Sequence, residues 1–241
     1  MKLEQLLEGV PFTLVQGSLE LDIEDIIYDS RKAAPGRLFV CIVGTQRDSH
    51  DYAAQCVADG VTALVVQHDI DLSTVPGAAV LKVESSRYAM ALMSGNLFGN
   101  PSRQMTMIGV TGTKGKTTTT HMIKSVLEAA GRKVHLGGNI GAALLPMLPE
   151  VRPEDVAVVE LSSFQLISMH QSPKIAVVTN VTPNHLDHHK DMQEYIDAKR
   201  NILLYQKQPC RAVLGYENEI SRSMQKDCKG GQVWFTRLHD T

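Results

Sequence analysis

The chain has 241 residues, of which 43% are hydrophobic and 21% charged, as is typical of a soluble globular protein with one large or two ordinary domains. A net charge of −2 excludes the basic stripe that nucleic-acid binding requires, so we expect no nucleic-acid partner and predict a small ligand. No apolar run approaches a membrane span, and the four scattered cysteines form no C-x-x-C pair. We therefore predict a cytoplasmic protein with reduced thiols and no membrane partner.

The first hundred residues alternate short apolar runs with polar turns and helical patterns. Strands are predicted at Ile26–Tyr28, Leu38–Ile42, Ala63–Val66 and Ala79–Val83, and helices at Asp51–Asp59 and Ser86–Leu97. This alternation predicts a small α/β unit with helices packed on a sheet. Residues Phe98–Ser102 combine Gly with Asn-Pro and lose periodicity, so we place a domain boundary near residue 100.

The second part of the chain opens on a glycine-rich segment, Thr111–Thr118, between a strand pattern and a helical one. A turn from strand to helix directs backbone N–H groups at an anion, and Gly112 and Gly115 permit close approach. Lys116 can reach terminal phosphates, and the Thr117 hydroxyl can hold Mg²⁺. The first glycine of the usual phosphate-loop pattern is displaced by one position here, and the alternative is a glycine-rich turn without a ligand.

Continuous apolar runs at Val156–Val159 and Ile175–Val178 are typical of parallel strands covered on both faces. With two later strand patterns they predict an open, mostly parallel sheet whose ligands gather at the carboxyl ends of the strands. Glu160 and Asn180 follow the two runs, so we expect both near the phosphate loop. Glu160 is a candidate Mg²⁺ ligand there, and the alternative is a solvent-facing residue at a strand end.

A histidine-rich run, from His185 to His189, offers imidazole and carboxylate groups that suit zinc. Adjacent His188 and His189 cannot easily share one metal, so a structural zinc is the lesser alternative. We expect one histidine of the run to assist Mg²⁺ or the substrate and the other two to be solvated. Lys199 lies on a helix predicted over residues 192–204, where most lysines are solvated.

Five motifs in order resemble those of the Mur ligases of peptidoglycan synthesis. They are Thr111–Thr118, Gly138–Gly141, Glu160–Leu166, the pair Thr179–Val181 with Asn184–Asp187, and Ala198–Lys199. In the first hundred residues, Asp29–Arg31, Pro35–Val40 and Gly44–His50 resemble the UDP-binding domain of the ligases that add the third stem-peptide residue. Five motifs in the right order are far more specific to a family than a single phosphate loop.

The resemblance implies ATP-dependent amide-bond formation through an acyl phosphate, with ATP and Mg²⁺ as cofactors. The nucleotide would be bound by Gly112, Thr113, Lys114, Gly115, Lys116, Thr117 and Thr118. Thr117 and Glu160 would hold two magnesium ions, with His185 near the second. Lys199 would match the carbamylated lysine of the family, which presents a carboxylate-like group toward that ion. Lys116, His185 and Lys199 are thus the implied catalytic residues.

The resemblance also implies where the UDP-N-acetylmuramoyl substrate binds. Residues of the first unit would contact the uridine diphosphate, namely Ser30, Arg31, Thr45 and His50. A capped turn and an ordinary surface loop are the alternative there. Residues near the acceptor carboxylate would be Asn139, Ser162 and Gln165.

The implied organisation is a UDP-substrate domain over residues 1–100 and a partial ATP-binding central domain over residues 101–241. The amino-acid-binding domain of the family has no counterpart, so we expect a truncated, monomeric chain that binds nucleotide weakly and does not turn over. The motifs favour a ligase adding D-glutamate to UDP-N-acetylmuramoyl-L-alanine. Addition of lysine or diaminopimelate to the D-glutamyl product is the alternative.

Two further readings stay open from the sequence. A second enzyme hypothesis is a different member of the same superfamily, such as a folylpolyglutamate synthase or a cyanophycin-type ligase, although the resemblance of the first hundred residues to a UDP-binding domain speaks against it. It is also compatible with a non-catalytic nucleotide-binding subunit that pairs with a second chain.

Overall fold

The computed structural model describes residues 1–44, 47–141, 144–183 and 189–238. It forms two compact units, Met1–Asn100 and Pro101–Thr241. The unit boundary lies at the segment that combines Gly99, Asn100 and Pro101. None of the helices in the described ranges has the length and apolar character needed to span a bilayer.

The first unit is a five-stranded sheet with helices packed against it. Its elements in chain order are α1 (Leu3–Leu6), β1 (Thr13–Gln16), β2 (Asp25–Ile27), β3 (Arg37–Val40), α2 (Ala53–Ala58), β4 (Ala63–Val66), β5 (Ala79–Lys82) and α3 (Ser86–Leu97). The strand order is β1-β5-β4-β3-β2, and only the β1–β5 pair is antiparallel among these strands. The predicted helix at 51–59 begins earlier, as a 3₁₀ turn at Ser49–Tyr52.

Both faces of this sheet are covered, which explains the continuous apolar strand patterns. Along β3, Leu38 and Val40 point into one hydrophobic cluster while Phe39 points into the other. Such a strand is buried on both sides, as parallel strands usually are. Helix α3 begins where predicted, because the Ser85 hydroxyl accepts a hydrogen bond from the Tyr88 backbone N–H at 3.3 Å.

The second unit is a six-stranded parallel sheet with helices. Its elements are α4 (Pro101–Gln104), β6 (Thr106–Thr111), α5 (Lys116–Ala129), β7 (Val134–Gly138), β8 (Val156–Glu160), α6 (Ser163–Leu166), β9 (Ile175–Val178), α7 (Met192–Leu204), β10 (Arg211–Gly215), α8 (Glu219–Ser223) and β11 (Gly231–Phe235). The strand order is β11-β10-β9-β6-β8-β7. The predicted α/β class with mostly parallel sheets is therefore confirmed.

The strand order places a switch point at the carboxyl end of β6. From β6 the chain proceeds to β7 and β8 on one side and then crosses to β9 on the other side. Loops that leave β6, β8 and β9 in opposite directions open a crevice there, which is where open α/β sheets bind ligands. The phosphate loop, Glu160 and Asn180 all lie at this edge, as the strand-end rule predicted.

Candidate active site

The loop between β6 and α5 has the backbone that a phosphate loop needs. Gly112 has φ +149° and Gly115 has φ +82°, both in the region that favours glycine. At Gly112 a Cβ atom would collide with the Thr179 hydroxyl, whereas at Gly115 the space is open and only the dihedral angle demands glycine. Helix α5 begins at Lys116, so its first N–H groups and its positive dipole end face the loop.

The end of β9 holds this loop in place. The Asn180 amide accepts a hydrogen bond from the Lys114 N–H at 3.0 Å and donates one to the Lys114 carbonyl at 2.9 Å. The Thr179 hydroxyl donates to the same carbonyl at 2.8 Å, and the Asn180 carbonyl accepts from Thr113 N–H at 2.7 Å. Asn180 thus holds the loop in position. The sequence predicted that Asn180 lies near the loop but did not predict this role.

Two oxygen ligands suited to Mg²⁺ meet beside the loop. The Thr117 hydroxyl donates to Glu160 Oε2 at 2.8 Å, and the Asn139 side-chain amide donates to Glu160 Oε1 at 3.2 Å. Glu160 is only 2% exposed, which contradicts the alternative of a solvent-facing strand end. A hydroxyl and a carboxylate form the hard oxygen donor set that Mg²⁺ prefers, so these residues fit the ion.

Lys116 curls back over the loop and lines a small cavity. Its Nζ donates to the Thr113 carbonyl at 3.2 Å. The cavity, of about 190 Å³, is lined by Gly112, Thr113, Lys116, Asn139, Ser162, Ser163, Phe164, Tyr195 and Lys199. The structure therefore brings predicted nucleotide, acceptor and catalytic residues together around one space.

Lys199 is the most unusual group at this edge. It lies on α7 and is 1% exposed, contrary to the usual solvated position of a helical lysine. Its Nζ donates to the Gly112 carbonyl at 3.1 Å and to Thr111 Oγ1 at 3.4 Å. The pKa of Lys199 is lowered to about 7, chiefly because burial disfavours the charged amine and also because Lys116 places a like charge nearby.

Tyr195 links α7 to the phosphate loop, and the sequence did not single it out. Its hydroxyl lies 3.0 Å from Thr113 Oγ1, and its ring lies 4.6 Å from Lys199 Nζ. Burial raises the pKa of Tyr195, so the phenol stays neutral. A tyrosine four residues before Lys199 on a predicted helix shares its face, which is the signal that could have identified it.

Ser162 and Gln165 hold each other rather than pointing freely into the cavity. Ser162 Oγ accepts from the Gln165 N–H at 3.2 Å, and Gln165 Oε1 accepts from the Ser162 N–H at 2.9 Å. This reciprocal pair is a capping box at the start of α6. Their contact with substrate stays a prediction.

The histidine run is only partly described. His185 and His188 lie outside the described residues, as does Thr45 of the first unit. The expectation that His189 is solvated is wrong, because it is 4% exposed. It lies between Ser163 and Glu194 and stacks on Phe164 with a ring-centroid distance of 4.9 Å. Long-range packing of this kind leaves no signal in the local sequence.

In the first unit, the predicted uridine-diphosphate residues occupy turns. Ser30 begins a 3₁₀ turn capped by Asp29, and the guanidinium of Arg31 pairs with the Asp29 carboxylate at 2.8 Å. The exposed Arg31 side chain can still reach a ligand. For both residues the contact with uridine diphosphate stays a prediction.

His50 is buried within a cluster with Asp48 and His68, whose ligand atoms lie within 4.8 Å of one another. His50 Nε2 accepts the Gln67 N–H at 3.0 Å, so its proton lies on Nδ1, which faces Asp48 Oδ1 at 2.5 Å. This nitrogen donates to the carboxylate instead of binding a metal. His68 also bonds Asp48, at 2.8 Å, and this bond raises the pKa of His68. His50 thus joins the Asp48 carboxylate to the Gln67 backbone N–H. Its contact with uridine diphosphate stays a prediction.

A larger cavity of about 1120 Å³ lies elsewhere on the second unit. Its lining includes residues that precede β6, β9 and β10, namely Met105, Lys174 and Pro209. No described residue between 111 and 118 contributes to it. Predicted nucleotide and catalytic residues therefore line the smaller cavity and not this larger one.

Comparison with known sequences identifies relatives of the chain. Residues 110–238 match the Mur ligase middle domain. The UDP-N-acetylmuramoylalanine–D-glutamate ligase of Acetivibrio thermocellus is 51% identical over 131 residues, which are 54% of this chain and 28% of that protein. The UDP-N-acetylmuramoyl-L-alanyl-D-glutamate–2,6-diaminopimelate ligase of Caldanaerobacter subterraneus is 34% identical over 253 residues, covering 95% of this chain and 51% of that protein. The chain thus spans about half the length of its diaminopimelate-ligase relatives.

Solved structures show the same fold. MurF from Acinetobacter baumannii superposes with a TM-score of 0.70 at 23% identity, covering 98% of this chain and 52% of that one. MurF ligase from Thermotoga maritima, determined in complex with ADP, gives a TM-score of 0.69 at 22% identity over 90% of this chain and 51% of that one. More than half of the chain matches the middle-domain family, and the chain therefore belongs to the Mur ligase family.

Proposed function

We propose that this chain provides the UDP-precursor and ATP sites of a cytoplasmic, ADP-forming ligase of peptidoglycan precursor synthesis. The observation that carries the proposal is the meeting of Thr117 and Glu160 beside the phosphate loop, with the buried Lys199 behind it. Family membership and the names of the relatives, which are ligases of this pathway, support it.

In the proposed reaction, a carboxylate oxygen of the acceptor attacks the γ-phosphorus of ATP and the bond to the β-phosphate oxygen breaks, which releases ADP. The amine of the incoming amino acid then attacks the acyl carbon, and phosphate leaves. Loop N–H groups and the Lys116 ammonium hold the phosphates where negative charge moves during the first step. Thr117 and Glu160 would hold Mg²⁺, which supplies charge neutralisation between the phosphates.

Lys199 is suited to the carbamate that the family resemblance implies. Carbamate formation needs a neutral amine that attacks CO₂ and loses a proton, and a pKa of about 7 leaves a substantial neutral fraction near neutral pH. The product is an anion, which is stable in a buried place only beside a cation. We therefore propose that modified Lys199, with His185, faces a second Mg²⁺.

D-Glutamate is the amino acid that we propose for this ligase, with UDP-N-acetylmuramoyl-L-alanine as acceptor. The higher identity, 51%, is to a D-glutamate ligase, although over 131 residues only. Addition of diaminopimelate or lysine is the second candidate, because the diaminopimelate ligases match 84% to 98% of this chain. The proposed acceptor contacts are Asn139, Ser162 and Gln165, and the proposed uridine-diphosphate contacts are Ser30, Arg31, Thr45 and His50.

Equilibrium binding tests this proposal without relying on turnover. Titration calorimetry would measure Mg²⁺-ADP, UDP-N-acetylmuramoyl-L-alanine and its D-glutamyl derivative against the 241-residue chain. Tighter binding of the L-alanyl acceptor supports D-glutamate addition, and tighter binding of the D-glutamyl derivative supports the second candidate. A chain that binds neither UDP precursor refutes both.

The role of Glu160 can be tested in the same assay. Glu160→Gln keeps the side-chain shape but removes the negative charge. The factor by which Mg²⁺ increases the affinity for ADP should therefore fall about tenfold. Glu128→Gln is the matched control, because it also removes one negative charge and Glu128 is exposed at the end of α5. Equal Mg²⁺ dependence in the Glu160→Gln variant and the wild type would reject Glu160 as a ligand.

A further inference from the structure

A row of three polar groups, of which His189 and Ser163 are buried and Glu194 is partly exposed, ends at the active-site cavity. His189 Nδ1 lies 3.2 Å from Glu194 Oε2, and His189 Nε2 lies 2.9 Å from Ser163 Oγ. The Glu194 carboxylate is itself fixed, since the same oxygen accepts the Lys190 backbone N–H at 2.8 Å. The proposed mechanism assigns no role to His189, Glu194 or Ser163.

The partners of His189 determine where its proton lies. A carboxylate oxygen only accepts, so the nitrogen that faces Glu194 must carry the hydrogen. In the neutral ring Nε2 then has the lone pair and accepts the Ser163 O–H. The ring cannot easily turn to exchange these roles, because it stacks on Phe164 at 4.9 Å and meets the Tyr195 ring edge-on at 5.2 Å.

This arrangement fixes the direction of the Ser163 hydroxyl. Ser163 is buried and lines the cavity of about 190 Å³. Its hydrogen is directed to His189, and within the described ranges Oγ has no further hydrogen-bond partner. The lone pairs of Oγ are therefore left to accept a hydrogen bond from a ligand.

The other polar groups of the cavity suggest which ligand group that is. Lys116 and Lys199 line the same space and attract a carboxylate or phosphate. An acceptor peptide that ends in a carboxylate also carries an amide N–H one residue away, and this N–H needs an acceptor once it is removed from water. Ser163 Oγ is such an acceptor, and it lies in the same cavity as the two ammonium groups.

We propose that His189, held by Glu194, is a positioning residue that turns the Ser163 hydroxyl so that its oxygen accepts the amide N–H of the acceptor peptide. The inference rests on the proposed function, because it takes a UDP-linked peptide as the ligand. It adds a contact that reads the amide bond next to the reacting carboxylate. A substrate with an ester at that bond lacks the N–H and places two oxygens against each other.

The test compares UDP-N-acetylmuramoyl-L-alanine with the analogue in which an ester oxygen replaces the alanyl N–H. Titration calorimetry on the whole chain should give about tenfold tighter binding of the amide, since loss of the hydrogen bond also leaves a buried acceptor unpaired. In Ser163→Ala and in His189→Phe this preference should shrink to about twofold or less. Phenylalanine retains the stacking on Phe164 but bonds neither neighbour.

Combining the substitutions separates positioning from general damage. The double variant Ser163→Ala/His189→Phe should show the same amide-to-ester ratio as Ser163→Ala alone, because His189 acts through Ser163. The matched control is His170→Phe, at an exposed histidine outside this cavity, which should keep the wild-type ratio. A His189→Phe variant with weaker binding but an unchanged ratio would overturn the inference and leave His189 a purely structural role.

A second measurement keeps the inference testable if His189→Phe does not fold. Long-range ¹H–¹⁵N spectra of the wild-type chain should show a proton on His189 Nδ1 and none on Nε2, whereas a proton on Nε2 overturns the inference. If the wild type binds Mg²⁺-ADP but neither the amide nor the ester, the proposed function fails, and the spectra still decide the hydroxyl direction. The two failures are therefore distinguishable.

Discussion

The two ends of the six-stranded sheet both bury titratable side chains, but they surround them differently. At the amino end, Asp155 precedes β8 and bonds His135 at 2.8 Å, with Lys133 at 3.9 Å. The hydrogen bond from His135 lowers the pKa of Asp155, because it stabilises the charged carboxylate. At the carboxyl end, Lys199 is buried against a carbonyl and a hydroxyl, with no carboxylate partner among the described residues.

The difference separates structural polar groups from functional ones. At the amino end, Asp155 and His135 bond each other, and neither lines the cavity beside the phosphate loop. A buried amine without a counter-ion costs stability, and its pKa falls to about 7. Folds retain such costs mainly where the group has a task, and this supports the proposed site at the carboxyl end.

The largest expected effect comes from removing the phosphate-binding cation at the carboxyl end. Lys116→Ala should weaken Mg²⁺-ADP binding at least about 100-fold, roughly 3 kcal/mol, because a charge-assisted contact with phosphate is lost. Titration calorimetry at fixed ionic strength measures the change. The matched control is Lys124→Ala on the same helix, where the partly exposed lysine pairs with Glu128 at 3.7 Å and should change affinity less than about twofold. Equal effects of the two substitutions would reject the phosphate-loop assignment.

Removal of the buried amine at the same end should, in contrast, stabilise the protein. Lys199→Met should raise the free energy of unfolding by about 1–2 kcal/mol near pH 7, because an apolar chain of similar length replaces a buried amine that lacks a counter-ion. The variant should at the same time lose any capacity for carbamylation. Chemical denaturation in CO₂-depleted buffer measures the stability of the unmodified lysine. A wild type more stable than Lys199→Met at pH 7 would contradict the cost assigned to the amine.

The pH dependence of that difference has a definite direction. Native Lys199 has a pKa of about 7, whereas the unfolded chain keeps the ordinary value of 10.5. Between these values the unfolded state binds the extra proton, so wild-type stability gains from this group as the pH rises. The advantage of Lys199→Met should therefore be largest below about pH 7 and shrink steadily toward pH 10. A pH-independent difference would show that burial does not depress this pKa.

The sequence predicted which strand-end residues lie at the carboxyl end of the sheet better than it predicted the burial of the side chains around them. Glu160 and Asn180 could be placed beside the phosphate loop because parallel strands end at one edge, a rule that needs no knowledge of packing. Burial of Lys199 could not be predicted, because it depends on which face of α7 meets the loop. His189 was wrongly expected in solvent for the same reason, since its partner Ser163 lies 26 residues away.

The first unit shows the same division between pattern and packing. Strands β3, β4 and β5 were predicted because unbroken apolar runs mark strands buried on both faces. Strand β1 was not predicted, since its residues are largely exposed and pair antiparallel with β5. The role of His50 depends on the Gln67 N–H, a contact across 17 residues that no local pattern reveals.

An effect on stability alone is expected at the amino end of the sheet. His135→Ala removes one partner of Asp155 but leaves its bonds from the Arg152 N–H at 3.1 Å and the nearby Lys133 ammonium. We expect a loss of about 1–2 kcal/mol in the free energy of unfolding, which is the usual cost of deleting one partner of a buried polar pair. Mg²⁺-ADP affinity should stay unchanged, because His135 is the second residue of β7 and lies at the far end of that strand from the loop. Urea denaturation and calorimetry on the same preparation would measure both quantities. A fall in affinity that matches the fall in stability would mean that the two ends are coupled, and the division between structural and functional burial would then fail.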